Sequence, residues 1–117
     1  MAHPRMRQEG SVVGAANTPV IITLGAPGAQ NRQLVRSVFW SYDGDPTGGL
    51  LEIYENVTER VLSLDITVGG PGFMQFPGEG WGTAVANHDV TVILSAGGQG
   101  IVGRLVVIWQ TSWYEAP

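Results

Sequence analysis

The chain has 117 residues, which is enough for one domain with a single hydrophobic core. Only 14% of the residues are charged and the net charge is −4, so much of the surface is uncharged, as in an ordinary neutral domain or in one that another molecule partly covers. All six basic residues are Arg and they form no basic patch, which argues against electrostatic affinity for nucleic acid. The chain has no Cys, no signal-peptide pattern and no apolar run near the roughly 18 residues that span a bilayer. We therefore expect a soluble protein made in the cytosol, with no membrane partner.

The first segment, residues 1–18, mixes Pro, Gly, Ala and charged residues without sustained periodicity. It is predicted to be an N-terminal arm or extension outside the core, and residues 19–117 are predicted to form a single domain. Arg5 and Arg7 give the arm a basic character. Short arms of this kind either tie a subunit to its neighbour or stay frayed, and both arginines are candidate interface residues.

From Pro19 onward, short runs rich in β-branched and aromatic residues alternate with Gly, Pro, Asn and Asp, which is typical of consecutive strands. No amphipathic helix pattern is present. In chain order the predicted strands are Val20 to Leu24, Leu34 to Tyr42, Leu50 to Glu55, Arg60 to Val68, Phe73 to Phe76, Thr83 to Ala86, Val90 to Ser95 and Arg104 to Ser112.

Two of these strands alternate between apolar and polar residues, which predicts one buried and one exposed face. The apolar positions are Leu62, Leu64, Ile66 and Val68 in one strand and Val90, Val92 and Leu94 in the other. The last strand is apolar on both sides from Leu105 to Trp109. This pattern predicts either a central strand or an outer face covered by a neighbouring subunit, and it makes Val106 and Ile108 candidate interface residues.

About eight short strands with turn signals throughout predict an all-β fold, a two-sheet antiparallel β-sandwich of jelly-roll or Greek-key type. A small closed barrel is the competing architecture.

The stretch Gly98 to Gly103 matches the G-x-G-x-x-G pattern of dinucleotide-binding loops. That function needs a helix after the glycines, whereas Arg104 to Trp113 has the composition of a strand, and it needs a βαβ unit for which the remaining residues leave no room. The glycines are therefore predicted to form a tight turn between two antiparallel strands, and no cofactor is expected.

Other chemically suggestive residues are few. Asp43-Gly44-Asp45 resembles the start of a calcium loop but lacks the later ligands, so it is interpreted as a turn. His88 has no partner that can be assigned from sequence, and the acidic residues are expected to form a solvated rim. We predict no catalytic residue, no metal site and no enzymatic activity.

The four Trp residues supply large contact surfaces. Trp40 and Trp109 lie in predicted strands and are assigned to the core. Trp81, in a glycine-rich stretch, and Trp113, near the C-terminus, are kept as interface candidates.

Several segments together resemble small all-β virion proteins of tailed bacteriophages, namely head decoration or cement proteins and related fibre-associated jelly rolls. These segments are Pro46 to Ile53, Leu64 to Thr67, Gly70 to Phe73, Phe76-Pro77 and Val92 to Leu105, and the resemblance spans roughly residues 34–110.

This resemblance implies a non-enzymatic protein, made in the host cytoplasm, that oligomerises, often as a trimer, and sits on the outer surface of a capsid. The implied partners are further copies of the chain and the major capsid protein, and the implied role of the arm is to grip capsid subunits. The expected function is accordingly a capsid cement protein. The alternative is a tail-fibre or receptor-binding module that recognises sugar through exposed aromatic residues such as Trp81 or Trp113.

Overall fold

A computed structural model describes residues 7–113 of the chain. These residues form nine strands and no helix, so no described segment is a helix that could cross a membrane. The strands are β1 (Arg7–Ala16), β2 (Val20–Leu24), β3 (Asn31–Tyr42), β4 (Gly49–Glu55), β5 (Glu59–Ile66), β6 (Gly70–Gln75), β7 (Trp81–Gly82), β8 (Val90–Leu94) and β9 (Val102–Trp113).

The strands build two antiparallel sheets that face each other. The larger sheet has the order β1-β9-β3-β6, with the short β7 also paired to β3, and the smaller sheet has the order β2-β8-β4-β5. Strands that hold the same position in the two orders are neighbours in sequence. The pairs are β1 with β2, β9 with β8, β3 with β4 and β6 with β5. This arrangement is a jelly roll. The predicted sandwich is confirmed, with nine strands instead of about eight.

The core lies between the two sheets and is made of side chains that alternate along each strand. Val90, Val92 and Leu94 of β8 are fully buried, as their alternation predicted. In β5, Ile66 is buried and Leu62 and Leu64 pack against the core, which also agrees with the prediction. Val68 does not follow them: β5 ends at Ile66 and Val68 is 68% exposed.

The chain leaves the smaller sheet immediately after β5, which explains the exposure of Val68. The carboxylate of Asp45 accepts a hydrogen bond of 2.8 Å from the amide of Gly69, and a Cβ at Gly69 would overlap the backbone of Gly44. These contacts fix a tight crossing from β5 to β6 in the other sheet. Since the strand has already ended, the alternation cannot extend to residue 68.

Most of the predicted N-terminal arm is a strand. Residues 7–16 form β1, an edge strand that pairs with β9 from Arg7 opposite Gln110 onward, while residues 1–6 lie outside the described part. The sequence does not indicate this strand, because its side chains are largely exposed. It therefore has no buried face that would require apolar residues at every second position. Gly10 lies so close to the Trp109 ring that a Cβ there would be 3.2 Å from Cζ3.

The predicted strand from Thr83 to Ala86 does not form. The strand in this region is β7, which has two residues and pairs with Leu34 and Val35 of β3. Beyond β7, the amides of Ala84 and Val85 donate to the carboxylate of Glu55 at 3.0 and 3.2 Å. Because these donors bind a side chain, they are not available for a sheet ladder.

The glycine-rich stretch after β8 is a turn, with the amide of Ile101 donating to the carbonyl of Gly98 at 3.1 Å. Gly98 and Gly100 have φ values of +104° and +78°, which favour glycine over other residues. The turn joins β8 in the smaller sheet to β9 in the larger one and does not close a hairpin between neighbouring strands. The predicted turn is confirmed, and the two strands that it joins lie in different sheets.

Candidate protein interface on the outer face of the larger sheet

The larger sheet exposes an apolar outer face, on the side opposite the core. Along β9, Leu105 and Val107 are fully buried in the core, while the alternating residues Val106 and Ile108 point to the other side and are half-buried. β9 is a central strand, flanked by β1 and β3. The prediction that this strand is central is thus confirmed, and residues 7–113 leave its outer face uncovered.

The strand register arranges outer-face residues in rows across the sheet. In the middle row, Ser11, Val106, Phe39 and Phe73 lie opposite one another on β1, β9, β3 and β6. Phe39 and Phe73 are 39% and 62% exposed, and their rings stack with centroids 5.6 Å apart at 18°. Two exposed stacked aromatic rings next to aliphatic side chains are unusual on a monomer surface and typical of an interface.

A β-bulge in β3 turns Phe39 outward. The pairing with β9 shifts between Val35 and Ser37, so Arg36 is the extra residue. Val35 and Val38 are therefore both fully buried, and the alternation after the bulge is opposite to that before it. Without the bulge, Phe39 would point into the core on the same side as Val35.

The two rows beside the middle row extend the apolar surface, and each of them contains one charged residue. Val13, Arg104, Ser41 and Pro71 form the row on one side, and Glu9, Ile108, Ser37 and Gln75 form the row on the other. We define the apolar face as Val13, Phe39, Pro71, Phe73, Val106 and Ile108. Arg104 and Glu9 are exposed and, among residues 7–113, neither makes a hydrogen bond or an ion pair.

A shallow groove crosses the apolar face. Its volume is about 220 Å³. The residues that line it are Phe39, Trp40, Ser41, Pro71, Gly72, Arg104 and Val106. Its walls are almost entirely apolar carbon, with the Arg104 side chain as the charged group. The surface can therefore bind an apolar group that brings a carboxylate.

The structure brings together two of the six predicted interface residues, Val106 and Ile108. Arg7 begins the exposed edge strand β1. Trp81 is half-buried and packs against the core, and Trp113 lies at the far end of β9, opposite Asn31, with 42% exposure. Arg5 lies outside the described residues.

Sequence reasoning missed Phe39 and Phe73. The run Val38-Phe39-Trp40 is apolar without alternation, so the sequence does not tell which side faces the core. Trp40 and Trp109 do pack against the core, as predicted. Phe73 was placed in a strand, but its position beside Phe39 follows from the register between β3 and β6, for which the sequence carries no local signal.

A buried Glu55 carboxylate organises the loop before β8. Glu55 is 6% exposed, and its Oε2 lies 2.7 Å from Nδ1 of His88 in addition to the two loop amides it accepts. This is the His88 partner that sequence could not assign, because 33 positions separate the two residues. The contacts satisfy a buried carboxylate and hold the loop against the sheet.

Two further acidic residues in loops, Asp43 and Asp45, also bind backbone amides. Asp43 accepts a hydrogen bond of 2.8 Å from the amide of Val102, and Asp45 binds Gly69 as described above. The Asp43-Gly44-Asp45 segment is thus part of a turn, as predicted. Within residues 7–113 there is no group of three or more His, Cys, Asp or Glu that could hold a metal ion.

The outer face of the smaller sheet is more polar. The Tyr54 hydroxyl donates to Glu52 Oε2 at 2.8 Å, and Arg60 Nη1 lies 3.6 Å from the same oxygen. The hydrogen bond to Glu52 raises the pKa of Tyr54 above its ordinary value, with desolvation and the Glu52 charge acting in the same direction.

No protein-family model and no curated protein matches the chain. Among solved structures, it is similar to a Bacillus endospore appendage protein, a disulfide-linked pilus, with 16% identity and a TM-score of 0.45 over 98% of this chain and 95% of that one. It is also similar to a chain of the acid-stable capsid of Helicobacter pylori bacteriophage KHP30, with 14% identity and a TM-score of 0.43 over 90% and 93% of the two chains. A chain of the extra small virus of the prawn Macrobrachium rosenbergii matches with 10% identity and a TM-score of 0.33 over 93% and 81%. At these values, an inference about function has to come from the chain's own surface.

Proposed function

We propose that this chain is a non-enzymatic structural protein of a virion, a decoration or cement protein that binds the major capsid protein on the outer surface of a phage head and stabilises the shell. The observation that carries this proposal is the apolar face, where the described part of the chain leaves stacked Phe39 and Phe73 and half-buried Val106 uncovered. Burying such a surface against protein is favourable because it removes apolar area from water.

The surroundings of the acidic residues support a structural role. Glu55, Asp43 and Asp45 are engaged with backbone amides, and His88 contacts Glu55. Carboxylates used in this way stabilise loops and do not face a common cleft, as general acid–base chemistry would require.

The alternative, a sugar-binding module of a tail fibre, requires exposed aromatic rings in a groove. The groove on the apolar face is lined by Phe39, whereas Trp81 packs with the core and Trp113 lies elsewhere. Of the two tryptophans predicted for this role, Trp113 is the more exposed, at 42%. This alternative would be favoured if glycans quench the Trp fluorescence of the wild-type protein and the quenching is lost in the Trp113→Ala variant.

The proposal is tested with heads of the phage that encodes the protein, prepared without its gene. We expect the purified protein to co-sediment with these heads and to raise the temperature at which they rupture. Phe73→Ser should abolish both effects, while Ile21→Ser, which removes a 51% exposed apolar side chain from the smaller sheet, should retain them. Failure of the wild-type protein to bind the heads would overturn the proposal.

A further inference from the structure

We infer that the apolar face binds the same face of a second copy of this chain, in a two-fold pair that joins Arg104 of each copy to Glu9 of the other. This inference rests on the proposed function, because it concerns the same surface: the second copy covers the face in free solution, and the capsid protein would replace it on the phage head. It begins from the two unpaired charges at opposite ends of the face.

Within one chain the two charges cannot meet. Arg104 and Ile108 are four residues apart on β9, which corresponds to about 13 Å along the strand. Glu9 lies opposite Ile108 on the neighbouring strand, so it is at least as far from Arg104. Neither charge has an ion-pair partner within residues 7–113, although both lie on the same side of the sheet.

The two charges can meet between two copies that are related by a two-fold axis. This axis lies parallel to the sheet, runs across the strands and passes over the middle row. It exchanges the two outer rows, so the row of Arg104 in one copy faces the row of Glu9 in the other. Arg104 then lies over Ile108 of the second copy, one strand away from Glu9, which is within reach of a long guanidinium side chain. Symmetry makes this ion pair twice.

The same axis places the middle row of one copy over the middle row of the other. Val106, Phe39 and Phe73 of one copy meet their equivalents in the other, which buries the exposed rings and closes both grooves. Apolar side chains then form the centre of the contact and ion pairs form its rim, as in typical protein interfaces. The face is only four strands wide, so the contact belongs to the small end of the range for specific complexes and its formation should depend on concentration.

Sedimentation equilibrium over a series of concentrations tests the pairing. We expect the wild-type protein to be a monomer when dilute and a dimer when concentrated, with weaker association at high salt. Arg104→Glu should weaken association at least about tenfold, because two attractive pairs become repulsive, and Glu9→Arg should do the same. The double variant should return to within about threefold of wild type.

The rescue by the double variant is the decisive result, because the two positions are too far apart to compensate within one chain. Asp65→Arg, a charge reversal on an exposed residue of β5 in the other sheet, serves as the matched control and should leave association unchanged. A double variant as weak as the single variants would overturn the inference, as would a wild-type trimer or a wild-type monomer at all concentrations. The proposed function is decided by a separate result, the binding of the wild-type protein to phage heads, so the failure of either proposal can be recognised without the other.

Discussion

The indole ring of Trp40 lies directly over Gly72, its cross-strand neighbour, at a distance that leaves no room for a side chain. A Cβ at position 72 would lie 2.5 Å from Cζ2 of the ring. The ring covers the inner side of β6, while Phe39 and Phe73 cover the outer side one row away. Gly72 therefore lets a large aromatic residue fill the edge of the core.

We expect Gly72→Ala to destabilise the protein by about 1–3 kcal/mol, because Trp40 must leave its position or the two strands must separate. Urea denaturation measures the change in the free energy of unfolding. Gly25→Ala is the control, since a Cβ at Gly25 meets nothing within 4 Å. If the explanation is right, Gly72→Ala will cost much less in a Trp40→Leu background, and an equal cost in both backgrounds would refute it.

Replacing the buried Glu55 should loosen the loop that it holds. We expect Glu55→Gln to cost about 1–3 kcal/mol, because the side-chain nitrogen of Gln cannot accept a hydrogen bond and so one of the amides of Ala84 and Val85 loses its acceptor. Thermal unfolding measures the loss, and hydrogen exchange should become faster at these two amides. Glu59→Gln is a matched control, since Glu59 lies directly opposite Glu55 on β5 but is exposed.

The Glu55–His88 contact can be measured separately by a double-mutant cycle. We expect His88→Ala to destabilise the wild-type protein more than it destabilises the Glu55→Gln variant, with a coupling of at least about 0.5 kcal/mol. Identical effects of His88→Ala in the two backgrounds would mean that the 2.7 Å contact contributes nothing to stability.

The raised pKa of Tyr54 predicts an alkaline titration that depends on Glu52. In the folded protein Tyr54 holds its proton above the ordinary value of 10.0, chiefly through the hydrogen bond to Glu52. A raised folded pKa stabilises the fold below the ordinary value, and this contribution is lost as the pH rises through the folded pKa. In phenolate absorbance, the contribution of Tyr54, identified by its loss in Tyr54→Phe, should shift to lower pH in Glu52→Gln. An unchanged titration in Glu52→Gln would contradict this assignment.

The turn before β9 should be sensitive to backbone strain alone. Gly100 has a φ of +78° and its missing Cβ would meet nothing within 4 Å, so a substitution there introduces strain without a clash. We expect Gly100→Ala to cost about 1–2 kcal/mol. Gly100→Asn should cost less because Asn tolerates this conformation. Equal costs for the two variants, measured by chemical denaturation, would rule out the conformational explanation.

Alternation was readable in the sequence wherever a strand has one buried and one polar face. Val90, Val92 and Leu94 of β8 meet this condition, and both the strand and its inward face were predicted. β1 does not meet it, because as an edge strand it exposes most of its side chains. Edge strands are held mainly by backbone hydrogen bonds, which do not require a particular pattern of apolar and polar residues.

The candidate interface was less predictable because it depends on register. Val106 and Ile108 could be proposed because they alternate with core residues in one strand. Their neighbours Phe39 and Phe73 depend on the Arg36 bulge and on pairing between distant strands. The contact of Glu55 with His88 has the same origin, since a fold that returns to the same place many residues later creates neighbours that no local pattern marks.

The position of β9 constrains when the protein can fold. β9 is the last of the described strands, yet it lies between β1 and β3 and joins them into one sheet. During synthesis on the ribosome, β1 has no pairing strand until β9 has emerged, since 103 positions separate Arg7 from its partner Gln110. The larger sheet must therefore form after translation of nearly the whole described chain, by slow closure of long loops. Until then the core residues on the inner face of β3, such as Val35 and Val38, stay exposed to water, which favours aggregation of the incomplete chain.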